Sequence, residues 1–392
     1  MPHITIDSFD TSQIVSGEYG ETKLLFVAQD LFSEDEILGV EIGGETFLLQ
    51  VKKSDASWLL KYDKVTRPLD VNLVKQAISD ISIAFSLKVL NSNININKSR
   101  ASLANAYEKG IEDFIDIKFP FELVSIEVGF GSGKHLIYQA QKTPQQLFIG
   151  IEIHTPSAQQ VLRQVELLGI KNIWVVNYDA RLLLEMLPSN LLERIYVHFP
   201  VPWDKKPQRR VISKSFLEES MRTLRQRGKL ELRTDSHKYF WYALDTFLGE
   251  GISKTAVEIR KNEALEITSK YEARWLRQEK DIYDVYVTSA YESKPRILDF
   301  DFSFNNIKYK NNLLKQLPKE AVVFDGHFVH FERVYRVSQS SILLKLAFGS
   351  FDRPEHKYIY MDKNGTYYFG SMPVKTLTNH KTHLKIEDFF NV

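Results

Sequence analysis

The pattern of apolar and polar residues changes character twice along the chain. In residues 21–64 apolar and polar positions roughly alternate, which predicts β-strands, and the helical spacing in residues 70–90 predicts a helix. From about residue 100 to 290, short apolar runs alternate with segments of helical periodicity. This alternation predicts a parallel sheet with helices on both faces. After about residue 295 the chain is rich in strand-forming and aromatic residues, which predicts a mainly antiparallel sheet.

These changes of pattern predict three domains in a chain of 392 residues, a length typical of two or three domains. Residues 1–95 are predicted to form a β-rich N-terminal domain with one helix, and the asparagine-rich stretch NSNININKS is interpreted as a linker. Residues 96–292 are predicted to form a Rossmann-like α/β domain with a mostly parallel sheet and helices on both faces. Residues 293–392 are predicted to form a β-rich C-terminal domain.

The composition excludes several kinds of site. The chain contains no cysteine, so disulfides, thiolate catalysis and cysteine metal sites are excluded. Its ten histidines show no ligand-like spacing, and we expect no bound metal. No apolar run approaches about 18 residues and the N-terminus lacks the pattern of a signal peptide, so we expect a cytoplasmic protein without a membrane span. Because the net charge is +1, any surface for nucleic acid must be local.

The stretch VSIEVGFGSGKH, residues 124–135, joins the end of an apolar strand to a loop of alternating glycines. Ligands of open parallel sheets bind at the carboxyl ends of the strands, and glycines there let the backbone approach a ligand closely. The alternative is a tight turn from strand to helix that binds nothing. We predict a ligand site made by the strand-end acid Glu127 and by three glycines, Gly129, Gly131 and Gly133.

The residues around the glycines narrow the kind of ligand. A phosphate-binding P-loop is excluded because Val128 stands where its first glycine belongs and His135 follows Lys134. A dinucleotide site needs the spacing G-x-G-x-x-G, whereas this chain has G-x-G-x-G, and the carboxylate of Glu127 would repel a pyrophosphate. A carboxylate suits S-adenosylmethionine, which carries an amino group and a sulfonium but no phosphate. A dinucleotide-dependent oxidoreductase remains the alternative class of enzyme.

Two further acids follow successive strands of the predicted sheet. Glu152 ends the strand FIGIEIH, about 25 residues after the first acid, where a carboxylate can accept hydrogen bonds from both ribose hydroxyls. Asp179 follows the third strand, in VNYDA, and is predicted to meet the amino group of adenine. A single acid at such a place is often a helix cap. Three acids at three successive strand ends favour a nucleoside-binding edge instead.

The chain from about residue 120 to 290 resembles the bacterial tRNA (guanine-N7)-methyltransferases of the TrmB type. The matching pieces occur in the family's order and at similar spacing, and they are IEVGFGSGKHL, FIGIEIHTPSA, NYDA, HFPVPWDKK, RTDSHKYFWYAL and TSKYEARW. The resemblance covers less than half of the chain. It implies a class I methyltransferase fold, S-adenosylmethionine as methyl donor, and methyl transfer to N7 of a guanine in tRNA.

The resemblance also implies roles for individual residues. It assigns the strand-end acids and the glycine loop to the cofactor, namely Glu127, Gly129, Gly131, Gly133, Glu152 and Asp179. It assigns a second set to substrate binding, namely Lys205, Asp235 and the Thr268–Glu272 segment, which includes Tyr271. Val201 departs from the family, whose members usually have Asp between the two prolines of this strand end. That Asp is usually credited with a catalytic or cofactor role.

The missing aspartate leaves two functional alternatives. N7 of guanine has a free lone pair and no proton, so methyl transfer needs no general base, and alignment of the reactants carries most of the rate. We expect an active enzyme in which Asp204 or Asp235 supplies a negative field near the purine, with Asp235 as the catalytic candidate. The alternative is a tRNA-binding protein of the same fold with weak or no catalysis.

Residues 203–229 form a basic segment with nine cations and three acids, a local balance of +6. Such a cluster is typical of phosphate binding, and since it follows the predicted active-site strand we expect it to contact tRNA. Arg209 and Arg210 are the phosphate-binding candidates within it. The alternative is an ordinary solvated helix face. The aromatic stretch HKYFWY, residues 237–242, is predicted to pack in the core rather than to stack on a base.

Overall fold

The protein divides into two compact units. In the computed structural model, the described residues are 2–10, 14–54, 56–68, 70–95, 106–249, 255–267, 272, 278–310 and 312–391. Unit 1 combines Met1–Ser102 with Phe300–Val392, and unit 2 is Leu103–Asp299. Among the described residues, no helix is both long enough and apolar enough to cross a membrane.

Strands occur in both units. In chain order they are β1 His3–Ile6, β2 Gly17–Tyr19, β3 Thr22–Asp30, β4 Glu36–Ile42, β5 Glu45–Ser54, β6 Ser57–Tyr62, β7 Val89–Ser92, β8 Glu108–Lys109, β9 Leu123–Val128, β10 Gln146–Ile151, β11 Ile173–Val176, β12 Leu192–His198, β13 Leu224–Thr234, β14 Thr255–Lys261, β15 Tyr283–Ser289, β16 Val322–Phe324, β17 His327–Ser338, β18 Ser341–Gly349, β19 Glu355–Met361 and β20 Thr366–Phe369. The α-helices are α1 Val71–Ala84, α2 Lys134–Lys142, α3 Thr155–Leu168, α4 Ala180–Met186, α5 Lys214–Thr223, α6 His237–Leu248, α7 Leu313–Gln316 and α8 Leu377–Phe390.

Unit 2 contains an eight-stranded sheet in the order β14-β15-β13-β12-β9-β10-β11-β8. The strand pairs from β13 to β8 are parallel, and β15 runs antiparallel to both of its neighbours. Strands β9 and β10 are almost entirely buried, as expected for strands covered on both faces. The chain proceeds from β9 to one side of the sheet and then returns to β12 on the other side, which makes the β9–β12 boundary the switch point where ligands bind. The predicted Rossmann-like fold is confirmed.

Helices α2 and α3 pack on the sheet of unit 2 through apolar stripes. Leu136 and Ala140 of α2 are four residues apart, which places both on one helix face, and both belong to the core with Val161 of α3 and Phe148 of β10. The aromatic stretch in α6 is mainly core, as predicted, although Trp241 is 53% exposed. Helices α2, α3 and α4 each begin a few residues after the carboxyl end of a strand, so their loops lie at that edge of the sheet.

Unit 1 joins the two flanks of the chain in one antiparallel sheet. Its order is β20-β19-β18-β17-β3-β4-β5-β6-β1-β7, with β2 beside β3 and β16 beside β17. The connection between flanks is the pairing of β3 with β17, in which Tyr335 lies opposite Asp30 and Arg336 opposite Gln29. The prediction of separate domains at 1–95 and 293–392 is therefore corrected, because both flanks lie in one unit.

A shared core explains why the flanks form one unit. The buried cluster beneath the junction takes Phe26, Ala28, Ile37 and Leu48 from the N-terminal flank and Tyr335, Leu343, Tyr358 and Phe369 from the C-terminal flank. The guanidinium of Arg333 also donates to Asp30 (2.8 Å) and Asp35 (3.0 Å) across the junction. The change of sequence pattern marks where unit 2 begins and ends along the chain, but it carries no information on which flanking strands meet.

The shared core predicts that damage in one flank loosens the other. We expect Leu343→Ala to lower the free energy of unfolding of unit 1 by about 2–5 kcal/mol, because it opens a cavity at a fully buried position. Hydrogen exchange should then accelerate in β3 of the N-terminal flank and stay unchanged in β9 of unit 2. Unchanged protection of β3 in this variant would show that the flanks are independent domains.

Candidate functional site

The loops that follow the parallel strands of unit 2 leave from one edge of its sheet. Three backbone hydrogen bonds hold their first residues in register. Gly129 N–H donates to Ile151 O (2.7 Å) and Glu152 N–H donates to Val176 O (3.0 Å). Phe199 N–H likewise donates to Arg233 O (2.7 Å). These bonds place the first residues of the loops after β9, β10 and β12 beside the ends of neighbouring strands, at the carboxyl edge of the sheet.

The three glycines of the first loop have different structural roles. All three have positive φ, with values of 70° at Gly129, 53° at Gly131 and 71° at Gly133, a region that disfavours other residues. A Cβ built on Gly129 or Gly131 would have no atom within 4 Å, whereas one on Gly133 would clash with a methyl of Val161. The first two glycines thus border open space with bare backbone, and Gly133 lets α2 approach α3.

Glu152 fastens the glycine loop to the neighbouring strand. Its Oε2 accepts the N–H of Gly131 (3.0 Å), and its Oε1 accepts the N–H of His154 (2.9 Å). A carboxylate offers about four lone-pair positions, so each oxygen keeps capacity for a further donor. Glu152 therefore has both a structural partner and room for a ligand.

Glu127 is buried beneath the glycine loop. It is 4% exposed, and its Oε2 lies 2.8 Å from Nδ1 of His135, which is 7% exposed. Burial opposes a charged imidazole, but the charge and hydrogen bond of Glu127 outweigh it and raise the pKa of His135. The predicted cofactor acid is thus held by a partner that the sequence analysis had not considered.

A second buried acid–histidine pair lies beside the first. Nε2 of His198 lies 2.9 Å from Oε1 of Glu231, and the His198 and His135 rings are 4.6 Å apart between centroids. Burial opposes ionisation of Glu231, but the hydrogen bond and charge of His198 outweigh it and lower the pKa of Glu231. Within the described ranges of the chain, no group of three or more His, Asp or Glu side chains is arranged to hold a metal.

Sequence reasoning overlooked this cluster although a signal existed. Tyr196 and His198 are two residues apart in β12, as are Glu231 and Arg233 in β13, so each pair lies on one face of the sheet. Polar residues at this spacing within otherwise apolar strands mark a buried polar face. The buried acid–histidine cluster, defined as Glu127, His135, His198 and Glu231, lies on that face.

Asp179 is the N-cap of α4. Its Oδ1 accepts the N–H of Arg181 (2.9 Å), and its Oδ2 pairs with the Arg181 guanidinium (2.7 Å). The helix-cap alternative therefore holds for this residue. Its side chain is still 32% exposed at the same sheet edge as Glu152, so the cap leaves part of the carboxylate accessible.

Val201 and Asp235 stand at the ends of adjacent strands. Val201 is 60% exposed in the loop after β12, and both Phe199 and Trp203 in that loop have positive φ, at 50° and 45°. Asp235 directly follows β13, and its 19%-exposed carboxylate pairs with Lys280 (3.2 Å). Asp204, the other acid expected near the purine, is 52% exposed and pairs with the Arg210 guanidinium (3.5 Å), whereas Asp235 lies at the end of the adjacent strand.

Glu272 is a buried structural partner. It is 2% exposed and accepts a hydrogen bond from Nη2 of Arg233 (2.7 Å), whose guanidinium also pairs with the buried Asp284. A side chain this buried does not present its carboxylate to a macromolecule. Thr268 and Tyr271, the other substrate residues expected in this segment, lie outside the described residues.

Arg209 and Arg210, predicted as a pair, differ in environment. Arg210 is 8% exposed, donates from Nε to Pro202 O (2.7 Å) and lies 4.3 Å from the ring centroid of Tyr242. Arg209 is exposed, with its guanidinium 5.2 Å from the ring centroid of Trp203. The geometry supports Arg209 as a phosphate contact, whereas Arg210 braces the loop after β12.

The basic segment 203–229 is not one continuous patch. Helix α5 lies within it, and its ten residues extend about 15 Å. In the last turn of this helix, Arg222 is bound by Glu219 and by two carbonyl oxygens, and just after the helix Arg225 pairs with Glu193. The exposed cations near the carboxyl edge are Lys205, Lys206 and Arg209. The local balance of +6 therefore overstates the charge that one ligand would meet.

Comparison with known proteins identifies the chain's family. A family model described as "Putative methyltransferase" matches residues 122–285. The tRNA (guanine-N(7)-)-methyltransferase of Wolinella succinogenes is 38% identical over 395 residues, which cover 100% of both chains. The enzyme of the same name from Campylobacter fetus is 33% identical over 95% of each chain. That from Helicobacter pylori is 39% identical over 88% of this chain and 87% of its own. The chain belongs to the family of tRNA (guanine-N(7)-)-methyltransferases.

Proposed function

We propose that this chain transfers the methyl group of S-adenosylmethionine to N7 of a guanine in tRNA, at the carboxyl edge of the unit 2 sheet. The names of its relatives supply the reaction. The main structural support for a ligand site at this edge is the glycine loop, in which Gly129 and Gly131 expose bare backbone to open space. Since the substrate is tRNA, we assign the reaction to the cytoplasm.

The residues at this edge fit S-adenosylmethionine. Open space where two Cβ atoms would stand allows a ligand to rest against the loop backbone. The carboxylates suit the amino group and the ribose hydroxyls of this cofactor. When bound, S-adenosylmethionine supplies a methyl group that is already activated on a sulfonium. The residues proposed to hold it are Glu127, Gly129, Gly131, Gly133, Glu152 and Asp179.

The proposed contacts depend on the partners of each acid. Glu152 orients the loop through Gly131 and keeps lone pairs for ribose hydroxyls. The hydrogen bond from His135 fixes the carboxylate of Glu127 beneath the loop, where it favours a cation. Asp179, fixed as a helix cap by Arg181, offers its exposed part to the adenine amino group.

Guanine is proposed to be oriented by Asp235. Its carboxylate can accept from N1–H and the N2 amine of the base and can stabilise positive charge that develops on the purine. No proton has to leave N7, so Val201 does not deprive the chain of a required base. The rate then depends on alignment and on exclusion of water.

The tRNA backbone is proposed to contact Lys205 and Arg209, which are exposed beside the loop after β12. Thr268 and Tyr271 stay proposed substrate residues on the family resemblance alone. Glu272 contributes indirectly, since it forms an ion pair with Arg233 of β13, the strand that ends next to Asp235.

The cofactor assignment predicts a loss of affinity in Glu152→Gln. The change replaces a carboxylate that fixes the loop and accepts charge-assisted hydrogen bonds worth about 1.5–3 kcal/mol each, so S-adenosylmethionine should bind roughly 10–100-fold more weakly. Isothermal titration measures this directly. Glu166→Gln, an exposed change on α3, is the matched control and should leave the affinity unchanged. Equal affinities for the two folded variants would refute the assignment of Glu152.

The divided basic segment predicts different effects for two of its arginines. Arg209→Ala should weaken tRNA binding and make the slope of log affinity against log salt shallower by about 0.7–0.9, the effect of one lost phosphate contact. Arg227→Ala, an exposed change beyond α5, should alter neither quantity. Filter binding across a salt series tests both. Equal losses in the two variants would mean that the whole segment acts as one patch.

The chemistry predicts that Asp235→Asn lowers turnover more than any change at Val201. Val201→Asp should raise turnover or leave it unchanged, because the added carboxylate can only supplement the field of Asp235. Single-turnover methylation of one unmodified tRNA by wild type, Val201→Asp and Asp235→Asn provides the comparison. An inactive wild type that Val201→Asp restores would support the alternative function, a tRNA-binding protein without catalysis.

A further inference from the structure

Unit 1 contains a cavity that the proposed reaction does not use. Its volume is about 450 Å³, and its charged lining consists of Lys61, Lys64 and Lys345 with the single carboxylate of Asp63. His3, Gln50 and Tyr62 add further polar groups to its lining. The lysines of this lining outnumber its acids, whereas the cations and acids of the whole chain nearly balance, at a net charge of +1.

The sheet register places Lys61 between two polar neighbours on adjacent strands. Lys61 of β6 lies opposite His3 of β1 and opposite Gln50 of β5, so the three side chains share one face of the sheet. Lys345 comes from β18 in the C-terminal flank, where it pairs with Glu332 (3.2 Å). Both flanks therefore contribute to the cavity, which depends on their union in one unit.

The carboxylate of Asp63 accepts hydrogen bonds from three uncharged donors. Its Oδ1 accepts the N–H of Val65 (2.8 Å), and its Oδ2 accepts the hydroxyl of Tyr358 (3.0 Å) and the amide of Gln50. Asp63 is 2% exposed. Among the described residues, no carboxylate lies within ion-pair distance of Lys61 or Lys64. The acid in the wall therefore stabilises the loop and leaves these two lysines without a paired anion.

Lys61 is held where a cation is disfavoured. Burial and then the charges of Lys52 and Lys64 lower the pKa of Lys61, against the weaker opposing charges of Asp63 and Asp35. Lys61 and Lys64 therefore bring two ammonium charges close together, and a bound anion would offset their repulsion.

We propose that this cavity binds a phosphodiester of the tRNA backbone, so that unit 1 makes a second contact with the RNA. Lysine ammonium groups act as point charges for phosphate oxygens, and the volume lies in the range of about 300–1,000 Å³ of ligand sites, which leaves room for the attached sugar. Lys64 is exposed at the rim, which suits a chain that continues beyond the site.

The relatives of this chain favour RNA over a free nucleotide as the ligand of the cavity. The catalytic family model matches residues 122–285 and does not include unit 1. The Wolinella succinogenes relative matches the whole chain, so unit 1 belongs to proteins named for a tRNA reaction. This inference rests on the proposed function, because it takes tRNA as the polymer that both units contact.

The test compares Lys61→Gln and Lys61→Gln/Lys64→Gln with a control, Lys23→Gln/Lys363→Gln, which removes two exposed lysines of unit 1 elsewhere. Filter binding of tRNA over a salt series should give slopes shallower by about 0.7–0.9 for each lost contact in the cavity variants and an unchanged slope in the control. S-adenosylmethionine affinity and turnover at saturating tRNA should not change, while KM for tRNA should rise.

A stability measurement excludes misfolding as the cause. Lys61→Gln removes a disfavoured cation, so its urea midpoint should equal or exceed that of the wild type. Unchanged tRNA affinity and slope in the double cavity variant would overturn the inference, and so would an equal loss in the control.

Titration with AMP and with inorganic phosphate tests whether the cavity binds a free phosphate compound instead of the phosphodiester of tRNA. AMP binding that depends on Lys61, together with unaffected tRNA binding, would assign the cavity to a free nucleotide and overturn the proposal. These experiments measure binding, so their results do not depend on catalysis. A wild type that binds tRNA through Lys61 but produces no methylated guanine would refute the proposed function and leave this inference standing.

Discussion

The hydrogen bond from Gly131 N–H to the carboxylate of Glu152 is the constraint on which the proposed site depends. It joins a loop that has almost no side chains to the end of the neighbouring strand β10, at the carboxyl edge of a parallel sheet where ligands bind. Without such an anchor, glycines would give the loop many conformations and a large ordering entropy upon binding. The loop is instead fixed before a ligand arrives, which lowers the free energy needed to order it.

The buried acid–histidine cluster extends this order from the glycine loop to the loop after β12. Glu127 and His135 lie beneath the first loop, and His198, paired with Glu231, is the last residue of β12. Each polar group is satisfied by its partner, so the cluster avoids the penalty of unpaired buried charges. The rings of His135 and His198 are 4.6 Å apart between centroids, so the two hydrogen-bonded pairs pack against each other between the first turn of α2 and the end of β12.

The sequence predicts the sheet edge well because each strand end is marked locally, by an apolar run that stops at a polar residue. It predicts side-chain environments poorly because burial depends on residues distant in the chain. Arg210 is buried through Tyr242, which lies 32 positions later, and Glu272 is buried by Arg233. The union of the flanks depends on the pairing of β3 with β17, and alternating strands of that kind could pair with many partners.

The most direct test of the account is the identity of the methylated nucleoside. Unmodified tRNA, incubated with the protein and S-adenosylmethionine carrying a labelled methyl group, is digested to nucleosides and separated. The account predicts that the label appears in 7-methylguanosine, because the site offers alignment and a carboxylate but requires no general base. Label in a nucleoside whose methylation requires removal of a proton, or no label in any nucleoside, would contradict it.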